Sequence, residues 1–192
     1  PNGTAFGSGE RRGKLGMLFP GQGSQYVGML RDLSCQFPMM MESLATADEC
    51  FAAERAESEP LRLSDLIYPH PVFEEGARRQ QETALRATNV AQPALGAIGL
   101  GALGVLAGFG VAAEATAGHS YGELLALCAA GRLEAGRLHQ LSNVRGRLMA
   151  GQAGAADAGH GERRLQLRSG AEAQRERQQS EQRAQRRHQD RP

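Results

Sequence analysis

GHSYGE, residues 118–123, is the stretch on which the reading of this chain turns. Gly118, Ser120 and Gly122 form a G-x-S-x-G pattern, with Val111-Ala112-Ala113 upstream and Leu124-Leu125-Ala126-Leu127 downstream. A serine on a sharp strand-to-helix turn sits in crowded, strained backbone, and glycines two residues to either side supply the room it needs. The pattern predicts a strand over Val111–Gly118, an elbow at Ser120 and a helix over Tyr121–Ala130, stopped at Gly131 by a left-handed cap. That helix would point its N-terminal N–H groups and positive dipole end at the serine, where an oxyanion would form. His119 is adjacent to the serine, but neighbours at a strand end point in opposite directions. It is therefore expected to pack behind the turn and shape the elbow with Gly118 and Gly122, not to take the serine proton.

Upstream, LGMLFP (residues 15–20) is a short apolar run closed by Pro20-Gly21, consistent with a buried strand entering a loop. Helices are expected over Val27–Leu33 and Met39–Ala56, with a turn region at Asp65–Tyr68 and Pro69-His70-Pro71. A long buried helix should run from Thr88 to Leu106, and a further one from Glu134 to Met149. Residues 1–14 are Gly/Ser/Arg-rich and read as linker. Beyond Ala150 the text changes: residues 151–192 hold no aromatic, no Val or Ile and two Leu, against nine Arg and eight Gln. Such a stretch cannot bury enough apolar surface to offset its ordering entropy, so it is expected to be a disordered low-complexity tail.

The bulk composition argues against several classes. Net charge is +1 over 192 residues, so no global field steers the chain to nucleic acid or membrane, and the basic tail offers no aromatic for base stacking. Cys35, Cys50 and Cys128 are odd in number and lack a C-x-x-C pair, which argues for free thiols and against a disulfide framework or a zinc site. Residues 93–113 carry no charge over 21 positions, the length of a membrane span. Six of them are glycine and no aromatic belt or basic flank marks the ends, so a buried helix followed by a strand is the better account. GLGALG (residues 99–104) matches G-x-G-x-x-G literally, but it lies inside an expected helix and not in a turn after a strand, which argues against dinucleotide binding.

Four segments taken together are far more specific than the elbow alone. FPGQGSQ (19–25), AQPAL (91–95), GHSYGE (118–123) and RGRLM (145–149) stand in one order over residues 15–150. In these the chain resembles the malonyl-CoA:acyl-carrier-protein acyltransferase family, which includes acyltransferase domains of fatty-acid and polyketide synthases. The wording QYVGMLRDL (25–33) looks most like the iterative synthases that make polyunsaturated fatty acids or enediyne polyketides. The resemblance implies an α/β fold, namely an α/β-hydrolase-like large subdomain at residues 15–150, incomplete here, with the family's ferredoxin-like small subdomain missing.

The resemblance also implies chemistry. Ser120 would attack the thioester of malonyl-CoA, and the acyl group would pass to the phosphopantetheine thiol of an acyl carrier protein. Backbone N–H groups of Gln22 and Tyr121 would hold the oxyanion. Gln92 would line the same pocket and Arg145 would bind the free malonyl carboxylate, for which a planar guanidinium fork is suited. No bound cofactor or metal is implied. The expected partners are a carrier protein and neighbouring synthase domains such as a ketosynthase, in the cytoplasm. The base in this family is a histidine far downstream. Residues 151–192 resemble neither the small subdomain nor the segment beyond it, and His160 and His188 have no matching context. A shifted reading frame near Ala150 would produce this change of text, and so would a natural truncation. Two other readings stay open: a catalytically dead module that docks coenzyme A or a carrier protein, and a serine hydrolase using the same elbow.

Overall fold

In the computed structural model, residues 8–9, 13–53 and 62–151 are described, and all of them belong to one compact unit, Pro1–Ala153. Its sheet is small. Strand β1 (Gly16–Phe19) and strand β2 (Ala115–Gly118) pair in parallel, with Gly16 opposite Ala115 and Phe19 opposite Gly118. Parallel neighbours need a crossover, and here the helices between them supply it: α1 (Arg31–Gln36), α2 (Pro38–Ala52), α3 (Leu63–Ile67), α4 (Glu75–Arg86) and α5 (Thr88–Gly108). After β2 come α6 (Gly122–Ala129) and α7 (Ala135–Met149).

Helix α5 is the spine. It packs against α2 on one flank and α7 on another, with Val90, Ala94, Ile98 and Val105 in one core cluster alongside Met40, Leu44 and Phe51 of α2. Its apolar length meets the criterion for a membrane span, yet 61% of the relevant window is buried within the unit. The glycine run explains the GLGALG coincidence. A Cβ at Gly101 would lie 2.7 Å from Met40 Sδ and 3.0 Å from Met40 Cα, and one at Gly99 would lie 2.6 Å from Leu125 Cδ1. These glycines are there for close helix contact, not for a phosphate.

Several boundaries differ from the sequence reading. Val27–Leu30 is a turn instead of the expected helix start, because Leu30 takes a left-handed φ of 51° and the Gly28 N–H donates to Ile67 O at 2.7 Å. The second helix begins at Pro38, where a missing N–H costs nothing at the first helical position, and the expected extension to Ala56 runs into residues outside the described set. Strand β2 is shorter than Val111–Gly118: the segment before it is a loop in which Val111 N bonds Leu106 O. The expected turn at Asp65 lies within α3. Helix α4 was not anticipated: its helical pattern comes mostly from charged and polar residues on the outer face, and Leu85 is its one buried residue. It is supported by Glu75–Arg79 and Glu82–Arg86 pairs spaced one turn apart.

The strand expected to be buried is not. Leu18 is 83% exposed, and its pairing partner Ala117 is exposed with it, whereas Met17 and Phe19 on the opposite face are half-buried. Cys35 is exposed, Cys50 and Cys128 are half-buried, and no disulfide joins the three. The linker expectation at 1–14 falls largely outside the described residues, and the tail expectation at 151–192 does so beyond Gly151.

Candidate active site

The elbow is built as its glycines require. His119 N donates to Phe19 O at 3.0 Å, extending the β1–β2 pairing by one residue, and Gly122 N then bonds His119 O at 2.9 Å to open α6. Between them Ser120 adopts φ 54°, one of two non-glycine residues with positive φ among the described residues. An L-residue there costs about 1–2 kcal/mol, and strain of this kind gathers at functional sites. A Cβ on Gly118 would overlap the Gly122 carbonyl and Glu123 N, and one on Gly122 would overlap Phe19 O and stand 2.7 Å from Pro20 O. The chain can turn this tightly only with both glycines.

The loop at 19–25 lies directly on the elbow. Gly21 is buried there, and a Cβ on it would be 2.6 Å from His119 O, 2.8 Å from His119 Nδ1 and 3.3 Å from Ser120 Cβ. His119 is therefore set against the loop, although its side chain is exposed and not packed behind the turn as expected. Ser120 is exposed too. The loop is braced by Ser24, whose N–H and hydroxyl both donate to Gly21 O, at 3.3 and 2.9 Å. Among the described residues, the backbone N–H groups of Gln22 and Tyr121 have no acceptor. These are the two amides expected to receive an oxyanion.

The side chain of Gln22 points elsewhere. Its Nε2 donates to Thr88 Oγ1 at 3.1 Å, and its Oε1 accepts from Gln92 Nε2 at 3.2 Å. Gln92 is fully buried and also donates to Met149 Sδ at 3.3 Å. The predicted pocket-lining amide thus ties the loop, α5 and the end of α7 together. Its Oε1 is buried and has no partner among the described residues, and the same holds for Nη1 of the half-buried Arg145. An unsatisfied buried guanidinium N–H is costly, and a carboxylate would satisfy it.

Tyr121 is fully buried, and its phenol contacts Ser142 Oγ of α7 at 2.6 Å. Burial raises the phenol pKa far above its usual value, opposed by the Ser142 hydrogen bond and, more weakly, by the nearby Arg145 charge. The sequence reading assigned Tyr121 only its backbone and assigned Ser142 nothing. The one signal was spacing, since Leu138, Ser142, Arg145 and Met149 recur on one face of α7.

No described histidine serves the serine. Among the described residues no side chain hydrogen-bonds the Ser120 hydroxyl. His139 is buried on α7, with Nδ1 unpartnered and a pKa lowered by desolvation. His160 and His188 lie outside the described residues. No group of three or more His, Cys, Asp or Glu is placed to hold a metal among the described residues.

The chain is similar to known proteins in sequence and in fold. The family described as "Acyl transferase domain" matches residues 17–182. A polyunsaturated fatty acid synthase polypeptide from Thraustochytrium is 31% identical over 141 residues, covering 73% of this chain. A polyketide synthase of Streptomyces halstedii is 36% identical over 155 residues, covering 77% of this chain. The chain spans 5% and 2% of those two relatives. Among solved structures, an acyl carrier protein S-malonyltransferase of Vibrio cholerae superposes with a TM-score of 0.59 at 32% identity, over 75% of this chain and 42% of that one. A malonyl-transacylase solved in complex with a type II polyketide acyl carrier protein superposes with a TM-score of 0.60 at 32% identity, over 74% of this chain and 40% of that one.

Proposed function

Since this chain belongs to the acyl transferase domain family, we propose that it carries the nucleophile and oxyanion half of a malonyl transfer from coenzyme A to an acyl carrier protein. Ser120 Oγ adds to the thioester carbonyl of malonyl-CoA while its proton passes to a base. The tetrahedral oxyanion is held by the Gln22 and Tyr121 N–H groups, and coenzyme A leaves as its thiol once protonated. The phosphopantetheine thiol of the carrier protein then attacks the serine ester, restoring Ser120. Donors fixed before charge develops are worth about 3–4 kcal/mol each to the transition state. Arg145 binds the free carboxylate of the malonyl group, and Gln92 holds Gln22 in place. The partners are a carrier protein and adjoining synthase domains such as a ketosynthase, and the setting is cytoplasmic.

One observation carries this reading: a serine held at φ 54° between two glycines that no larger residue could replace, with the 19–25 loop laid across it. The resemblance puts the histidine base downstream of residue 150, and among the described residues no histidine hydrogen-bonds the Ser120 hydroxyl, so without an added base we expect the ester to form slowly. A serine hydroxyl without a base is a weak nucleophile.

The test is mass spectrometry of the chain after incubation with malonyl-CoA, with and without imidazole as a substitute base. A malonyl ester on Ser120 that forms faster with imidazole, and is absent in Ser120→Ala, is the expected result. Arg145→Ala should depress malonylation while leaving acetylation from acetyl-CoA intact. Binding of malonyl-CoA with no ester under either condition would instead support the docking module, and release of free malonate independent of Arg145 would support a hydrolase.

A further inference from the structure

Three elements converge on one buried point beside the elbow. Tyr121, the residue after the nucleophile, reaches across to Ser142 on α7 at 2.6 Å, and Ser142 Oγ in turn donates to Leu138 O at 2.6 Å. A serine hydroxyl has one proton. With that proton committed to Leu138, the phenol of Tyr121 must be the donor and Ser142 the acceptor. The third element is α5, where Gly96 leaves the space: a Cβ there would overlap the Tyr121 hydroxyl and stand 3.4 Å from Ser142 Oγ. Tyr121 and Ser142 are both 0% exposed. The joint is dry, saturated and directional.

Its position gives it a consequence. The backbone N–H of Tyr121 is one of the two amides proposed to hold the oxyanion, and Ser142 lies one helical turn before Arg145 on α7. The phenol therefore connects the residue that receives the negative oxygen to the helix that carries the carboxylate-binding guanidinium. Helix α6 and helix α7 are joined by a short loop, and their apolar contact through Leu125 and Leu138 is non-directional. Apolar packing of this kind tolerates sliding, whereas a hydrogen bond fixes register.

We infer that the Tyr121 hydroxyl and Ser142 are positioning residues that set the distance between the elbow and Arg145, and so fix the preference for a carboxylate-bearing acyl group over a neutral one. The inference rests on the proposed malonyl-transfer reading. It assigns neither residue a contact with substrate: both act through the groups they hold.

The test separates register from stability by reading a ratio. In a Ser120→Ala background, which blocks acylation, binding of malonyl-CoA and of acetyl-CoA is measured by calorimetry. A charge-assisted contact to the carboxylate gives malonyl-CoA an advantage of about 10- to 100-fold in the parent. Adding Tyr121→Phe, which leaves Ser142 bonded to Leu138 and should fold, is expected to cut that advantage about five- to tenfold. Acetyl-CoA binding should change little. Ser142→Ala should act in the same direction, and the double variant should be no worse than the more affected single one. If Tyr121→Phe weakens both ligands equally or neither, the joint is structural only and the inference is overturned. A parent with no preference for malonyl-CoA overturns the proposed carboxylate site at Arg145, and this inference with it. That outcome is distinguishable because it shows before any joint residue is changed.

Discussion

Replacing Ser120 by glycine should make this protein more stable than replacing it by alanine, although glycine is the more flexible residue. Ser120 is exposed and its hydroxyl has no partner among the described residues, so neither substitution breaks a side-chain hydrogen bond. The backbone bond from Glu123 N to Ser120 O survives in both. What differs is the left-handed φ of 54°. An L-residue there costs about 1–2 kcal/mol, from which alanine is not spared and glycine is. Against this, glycine adds about 0.4–1 kcal/mol of unfolded-state entropy. The net advantage for glycine is about 0.5–1 kcal/mol, equivalent to roughly 1–4 °C in Tm for a unit of this size. Thermal and urea unfolding of the two variants under one buffer condition measures it. Alanine equal to or more stable than glycine would show that the elbow is not strained, and the physical argument for Ser120 as a held nucleophile would fail with it.

The same geometry fixes three further outcomes. Gly122→Ala places a methyl group against Phe19 O and Pro20 O, all rigid backbone, and should cost more than about 3 kcal/mol, above the usual range for overpacking; near-native urea stability would contradict the close approach. His139 is buried and its pKa is depressed by desolvation, so the unfolded chain binds its proton more readily than the folded one. Stability from keeping it neutral is present above the usual 6.5 and falls as pH drops below that value, and a His139→Gln variant should show a flatter profile between pH 7 and 5 in urea titrations. Burial pushes the Cys128 thiol up to about 11 while Cys35 is exposed, so a disulfide reagent at pH 8 should modify Cys35 first, and Cys35→Ser should abolish the fast phase.

The elbow and its neighbours were legible in the local residue pattern. Gly118 and Gly122 were readable because a tight strand-to-helix turn leaves no room for a Cβ, a constraint that acts locally and leaves a residue signature. The long helix Thr88–Gly108 was equally legible, since a run of 21 uncharged residues at Pro93–Ala113 cannot be left in water, and Gly131 closed α6 with φ 66° as its position required. The start of α1 was misread because Gly28 and Leu30 take positive φ to meet Ile67, far along the chain. Helix α4 was missed because the pattern that marks it is one of charged and polar residues, with a single buried leucine on the inner face.

The site's internal wiring was decided only in three dimensions. Nothing local in AQPAL says that Gln92 commits its amide to Gln22 and Met149, 70 and 57 residues away. Nothing local in GHSYGE says that the tyrosine ring turns inward to Ser142. Such bonds are set by where α5, α6 and α7 cross, and that crossing depends on the summed packing of many side chains. A local pattern records what one turn of backbone demands of its own residues, whereas a contact between distant segments leaves no periodic trace in either of them.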